Sequence, residues 1–153
     1  MSESGRDLSL MNTPDLTDEQ RRRAEAAREG VPYLKHLGIE VESIGPGTAT
    51  LVLPVRHEIM RNDGIVHGGA VASLIDSAFA FAIIPLLAGD ERTVTIDMTI
   101  HYLRPLSGGA AKAVARIVRF GRRVITVSAE LFDENGKLAA TALSTYMRIS
   151  ATD

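Results

Sequence analysis

At 153 residues, 45% of them hydrophobic, the chain has the size and composition of one soluble globular domain with a sizeable core. Its net charge of −2, with no basic block or stripe, excludes the electrostatic footprint of a nucleic-acid binder. The absence of cysteine excludes disulfides, a thiolate nucleophile and zinc–thiolate sites together.

Residues 1–16 are polar and aperiodic and are expected to form a loose arm ahead of a single domain over 17–153. Glu3, Arg6 and Asp7 occur without an apolar run beside them, which does not fit a secretory leader, so a cytoplasmic location is expected. Thr17 or Asp18 can cap a helix that runs to Gly30, with a thin apolar stripe suited to the surface. Its Arg21-Arg22-Arg23 triplet offers a partner to phosphates but reads first as a solvated face. Pro32 opens a second short helix that Gly38 ends. IEVESI is a strand with Ile39 and Val41 on one face, and TATLVLP, after the tight Gly45-Pro46-Gly47 connection, is another. Residues 55–60 form a loop, and His57 there has no ligand partner nearby.

Residues 61–87, RNDGIVHGGAVASLIDSAFAFAIIPLL, begin as a turn, pass through His67-Gly68-Gly69 and continue as an apolar helix whose one carboxylate is Asp76. A helix apolar all round is a buried helix. The uninterrupted apolar run over 78–88 is too short to span a bilayer and contains Pro85, so no membrane partner is expected. RTVTIDMTIHYL then alternates, with Val94, Ile96, Met98, Ile100 and Tyr102 on one face and Thr95, Asp97, Thr99 and His101 on the other. AAKAVARIVRF is a strand broken at Gly121, RRVITVSAELF follows, and Asn135-Gly136 signals a hairpin into KLAATALSTYMRI. The order is helices, two strands, a long buried helix and four strands in a meander. It specifies an α+β fold, an antiparallel sheet curled around one central helix.

The central helix presents two groups that can carry chemistry. At its start, His67-Gly68-Gly69 either allows close packing and caps the turn, or aims free helix N–H groups at a carbonyl oxygen as an oxyanion-type site. Further along, Asp76 is either a hydrogen-bonded structural carboxylate or a general base or nucleophile. Nine positions on one helix separate the two by roughly 13 Å, too far for both to touch one carbonyl. If both act, they come from different chains related by a two-fold axis, each site sharing residues of both subunits.

GIVHGGAVASLIDSAFAFA followed by TVTIDMTIHYLRP resembles the hotdog-fold acyl-CoA thioesterases of the phenylacetate-pathway (PaaI-like) type. The matched pattern is G-x-x-H-G-G, a small-residue helix with Asp nine after the His, and a V-[ST]-[VI]-D…Y-[LM]-x-P strand. Gly121-Arg122-Arg123 and the D-x-x-G-K of residues 133–137 also fit, and the resemblance covers residues 34–149. It implies hydrolysis of an acyl-CoA substrate to a carboxylate and CoA in a homodimer with shared sites, or a dimer of dimers, with no cofactor and no metal.

Carried over by position, Asp76 is the catalytic carboxylate, and Gly68 N–H polarises the carbonyl with His67 and Gly69 beside it. Thr95 helps hold the attacking water, and Gly121, Arg122 and Arg123 lie near the CoA phosphates or adenine. Phe79, Ala72 and residues near Met60 are expected to line the acyl pocket. One departure concerns the lead-in loop. Relatives carry an Asn six residues before the His, where this chain has Arg61, with Asn62 one place closer. Either Asn62 still reaches the site, or Arg61 meets a carboxylate or phosphate of the ligand instead. Two further readings are a non-catalytic acyl-CoA-binding domain and a dehydratase or hydratase that uses the histidine as base.

Overall fold

The structure, a computed structural model, describes residues 15–150; the arm expected over residues 1–16 lies, but for its last two residues, outside the described residues. Helix α1 (Asp18–Gly30) begins at a capping box. The Thr17 hydroxyl accepts from Gln20 N–H, and the Gln20 side chain accepts from Thr17 N–H. Helix α2 (Pro32–Leu37) ends at Gly38, whose φ of 74° turns its N–H back to the carbonyls of Leu34 and Lys35. Strands β1 (Glu40–Gly45) and β2 (Thr48–Pro54) form a hairpin. Helix α3 (Gly68–Ile83) follows, and Pro85 tightens its exit into a 3-10 turn. Strands β3 (Arg92–Tyr102), β4 (Ala110–Phe120), β5 (Val124–Phe132) and β6 (Leu138–Ile149) complete a six-stranded antiparallel sheet in the order β1-β2-β4-β5-β6-β3.

The sheet curls around α3. Leu74, Ile75, Ala78, Phe79, Ala82 and Ile83 of the helix have no exposed surface, nor do Leu51, Leu53, Ile125, Val127 and Leu131 facing them. Each of the larger ones, the leucines, isoleucines, Val127 and Phe79, contributes about 1.5–3 kcal/mol through burial. Buried alanines at 111, 113 and 115 on β4 let the helix sit low in the curl. The helix is nevertheless not buried all round: Ala72, Ser73, Asp76, Ser77 and Ala80 form a half-exposed stripe.

Two expectations change. The meander holds for β4, β5 and β6, but β3 pairs with β6 at the sheet edge and β2 takes the place beside β4. The connection over residues 103–109 causes this. Leu103 and Arg104 N–H bond Ala139 O, Leu106 is buried and accepts from Val66 N–H, and Gly109 O accepts from Val55 N–H. The chain thereby crosses the end of the sheet from β6 to β2 instead of turning back on itself. Secondly, Gly68–Leu86 is, by length and composition, long and apolar enough to cross a membrane, longer than the uninterrupted apolar run suggested because its few polar residues are dispersed. In this fold 56% of it is buried inside the protein, as suits a core helix.

Candidate active site

The start of α3 is built by its own sequence. His67 sits at the N-cap in an extended conformation (φ −61°, ψ 134°), and its Nδ1 accepts from Gly69 N–H at 2.9 Å. Ala70 and Val71 N–H both turn back to His67 O. Of the first four N–H groups of the helix, only that of Gly68 has no acceptor among the described residues, and the aligned peptide dipoles make it an electropositive donor. The Tyr102 hydroxyl donates to Gly68 O at 3.1 Å and braces the peptide from β3. Gly68 and Gly69 line a cavity of about 580 Å³ together with Arg61, Ile65, Tyr102, Arg104 and Leu106.

Asp76, two helical turns on, opens on a different cavity of about 570 Å³, lined also by Arg23, Ala27, Ile84, Glu91, Arg92, Thr95 and Tyr146. Its Oδ1 accepts from the Tyr146 hydroxyl at 2.7 Å and stands 3.4 Å from Thr95 Oγ1. Oδ2 has no hydrogen-bond partner among the described residues. Tyr146 is 3% exposed, and its phenol packs edge-on against Phe79 with ring centroids 6.4 Å apart. Burial, and then the neighbouring carboxylate, push the phenol well above its ordinary value, so it remains a donor.

Thr95 reaches Asp76 because β3 does not alternate as its sequence suggests. The register runs Val94↔Met147, Thr95↔Tyr146, then Asp97↔Thr145 and Met98↔Ser144, which leaves Ile96 as the extra residue of a β-bulge. Directly paired residues share a face, so Thr95 lies with Tyr146 toward the helix, and Val94 lies with Met147 on the convex side. The expected common face of Val94, Ile96 and Met98 is thus broken at Ile96. The bulge is pinned by its neighbours: the buried Ser144 hydroxyl donates to Asp97 O, and Asp97 Oδ1 accepts from Thr145 N–H at 3.1 Å. Asp97 accordingly serves the backbone.

The other expected residues fall as follows. Arg61 lines the Gly68 cavity and pairs with Asp63 at 2.6 Å. Asn62 is exposed in the turn and lines neither cavity. Phe79 is fully buried in the core and lines neither, while Met60 borders a separate hollow beside His67. Arg122 and Arg123 are exposed in the β4–β5 turn. That turn is held by Arg148, which donates from its side chain to Gly121 O (3.0 Å) and from its backbone to Arg123 O. The Arg148 guanidinium also clasps both oxygens of Glu91 at 2.7 Å, and this pairing holds the Glu91 carboxyl below its ordinary value. Tyr146 and Arg148 were not singled out by the sequence, and Tyr102 stood in the matched strand motif without a role, because their contacts join segments far apart in the chain.

The family described as the thioesterase superfamily matches residues 63–140. The medium/long-chain acyl-CoA thioesterase YigI of Escherichia coli is 30% identical across 76% of this chain and 85% of its own. Among solved structures, the PaaI protein of the Escherichia coli phenylacetic acid degradation operon superposes with a TM-score of 0.82 at 27% identity, covering 89% of this chain and 97% of that one. A single-residue mutant of the phenylacetic acid degradation protein PaaI of Thermus thermophilus gives 0.72 at 33% identity, covering 78% and 100%.

Proposed function

The chain belongs to the thioesterase superfamily, and we propose that it hydrolyses acyl-CoA esters to a carboxylic acid and CoA at sites shared between two protomers. The observation that carries this reading is the division of α3: Gly68, whose N–H has no acceptor among the described residues, lines one cavity, and Asp76, whose Oδ2 has no partner among them, lines another. Apposed across a two-fold axis, Gly68 N–H of one protomer and Asp76 of its partner bracket one carbonyl. The β3 edge supports such a dimer. It is 11 residues long and unpaired on one side among the described residues, and its Val94 and Ile96 are 46% and 50% exposed, so two β3 strands can continue the sheet from one protomer into the next.

In the reaction, the thioester oxygen accepts from Gly68 N–H, which stabilises the charge that develops in the tetrahedral intermediate. Asp76 either takes a proton from water, whose oxygen then attacks the carbonyl carbon, or attacks the carbon itself and forms an anhydride that water opens. In both routes the CoA thiolate leaves and is protonated. Arg122 and Arg123 offer guanidinium groups to the CoA phosphates. The tautomer of His67 weighs against the dehydratase reading: with Nδ1 accepting from Gly69, the other nitrogen carries the proton and is a donor, not a base.

Thiol release across medium-chain, long-chain and aromatic acyl-CoA esters tests the proposal. The first two classes follow from the YigI relative and the third from the PaaI neighbours. Wild type is expected to turn over at least one class, and Asp76→Asn to lose roughly 10²–10⁴-fold in kcat. Unchanged turnover in Asp76→Asn contradicts the mechanism. The exposed position of Asn62, outside both cavities, favours one rival, a domain that binds acyl-CoA without cleaving it. Tight ester binding with no thiol release from any ester selects that rival.

A further inference from the structure

We propose that Tyr146 is a positioning residue for the reacting carboxylate: it holds Asp76 through Oδ1 and reserves Oδ2 as the oxygen that meets water or the thioester carbon. The inference rests on the thioesterase reading for its kinetic consequences, but its structural content stands apart from turnover.

Three observations converge on it. Both side-chain donors near Asp76, the Tyr146 hydroxyl at 2.7 Å and the Thr95 hydroxyl at 3.4 Å, address the same oxygen, and the other oxygen has no partner among the described residues. A carboxylate gripped at one oxygen keeps the other available to a ligand, and Asp76 lines a cavity that can hold one. Next, the grip itself is rigid. Tyr146 is 3% exposed, its ring is fixed edge-on by Phe79, and its backbone is flanked by Ile125 on one side and by Thr95 on the other. Finally, the phenol has one hydrogen and a shorter contact to Oδ1 than to Asp76 O at 3.3 Å, so the bond goes to the carboxylate. The phenol, kept protonated by burial, stays a donor to Oδ1. It does not touch the reacting atoms and transfers no proton; its part is to orient Asp76.

The other charged groups on this cavity are Glu91 just before β3, Arg92 at its start and Arg23 from α1. Glu91 is neutralised by Arg148, and Arg23 is engaged by Glu19 and by Gly89 O. None of them makes a hydrogen bond to Asp76 among the described residues, which leaves the Tyr146 hydroxyl as its strongest partner.

Tyr146→Phe removes one oxygen and retains the ring. The expected result is a ten- to hundredfold fall in kcat, the range for loss of a hydrogen bond to a charged group, with KM held within about twofold. The carbon-13 chemical shift of the Asp76 carboxyl at pH 7 reads the hydrogen bond to Oδ1 without any substrate and is expected to move in Tyr146→Phe, so it tests the positioning role even if no thioester is ever cleaved. Incorporation of 3-fluorotyrosine at position 146 makes the phenol a stronger donor in an undisturbed fold and is expected to move that chemical shift in the opposite direction. A carboxyl chemical shift that moves with neither change overturns the proposal, as does a Tyr146→Phe enzyme with wild-type kcat. Loss of folding in Tyr146→Phe leaves the fluorotyrosine shift as the deciding measurement.

Discussion

A Cβ built on Gly69 would stand 3.0 Å from His67 Nδ1 and 3.3 Å from Cε1, whereas one built on Gly68 would meet only the Tyr102 ring at 3.7 Å. The two adjacent glycines therefore differ in what they permit. Gly69→Ala pushes the imidazole off its N–H and costs about 1 kcal/mol, the usual value of a lost N-cap; Gly68→Ala keeps its N–H and melts within about 0.5 kcal/mol of wild type. Chemical denaturation of the two variants measures the difference. At this scale His67-Gly68-Gly69 and Asp76 were legible in the sequence, because a turn followed by an apolar helix with one carboxylate is a local signal. Tyr146 was not legible. A tyrosine in an alternating strand looks like ordinary core until its partner strand is known, and that partner, β3, lies some fifty residues earlier in the chain.

The bulge at Ile96 is the element that assembles the carboxylate cluster. Without it Thr95 would face the convex side of the sheet, as strict alternation along β3 predicts. Asp97→Ala leaves Thr145 N–H without its acceptor. It is expected to cost about 1 kcal/mol and to lower kcat through displacement of Thr95; denaturation and thiol release together check both effects. A second element-level device is the Glu91–Arg148 pair, each side chain less than one-fifth exposed, which ties the start of β3 to the β4–β5 turn. Because the folded Glu91 carboxyl lies below its ordinary value of 4.5, its contribution is present above that pH and is lost as pH falls through the folded value. The melting difference between wild type and Glu91→Gln is thus expected to be full at pH 7 and to shrink progressively below about pH 4.5. The strand extents of β2, β4 and β6 were legible from alternation and turn residues. The order β2-β4 and β6-β3 was not, because it depends on where the 103–109 connection crosses the sheet, and the hydrogen bonds that route it join residues far apart in sequence.

At the scale of the whole molecule, a curled sheet with β3 at one edge and a core helix with a half-exposed stripe suit the proposed dimer, in which each protomer would present half of a site twice over. In the proposed dimer, Gly68 of one protomer works with Asp76 of the other. Backbone donors are normally beyond the reach of mutagenesis, but Gly68 is the first residue of α3, where proline is tolerated, and His67 already has the extended conformation that precedes proline. Gly68→Pro is therefore expected to fold and to lose roughly 10²–10³-fold in kcat with the oxyanion donor. The most direct measurement is thiol release after Gly68→Pro and Asp76→Asn chains are refolded together. Half of the dimers then pair the two variants, and each such dimer holds one site with both wild-type groups. Activity is predicted to recover to roughly a quarter of wild type from two nearly inactive preparations. A mixture no more active than its components would contradict the shared site.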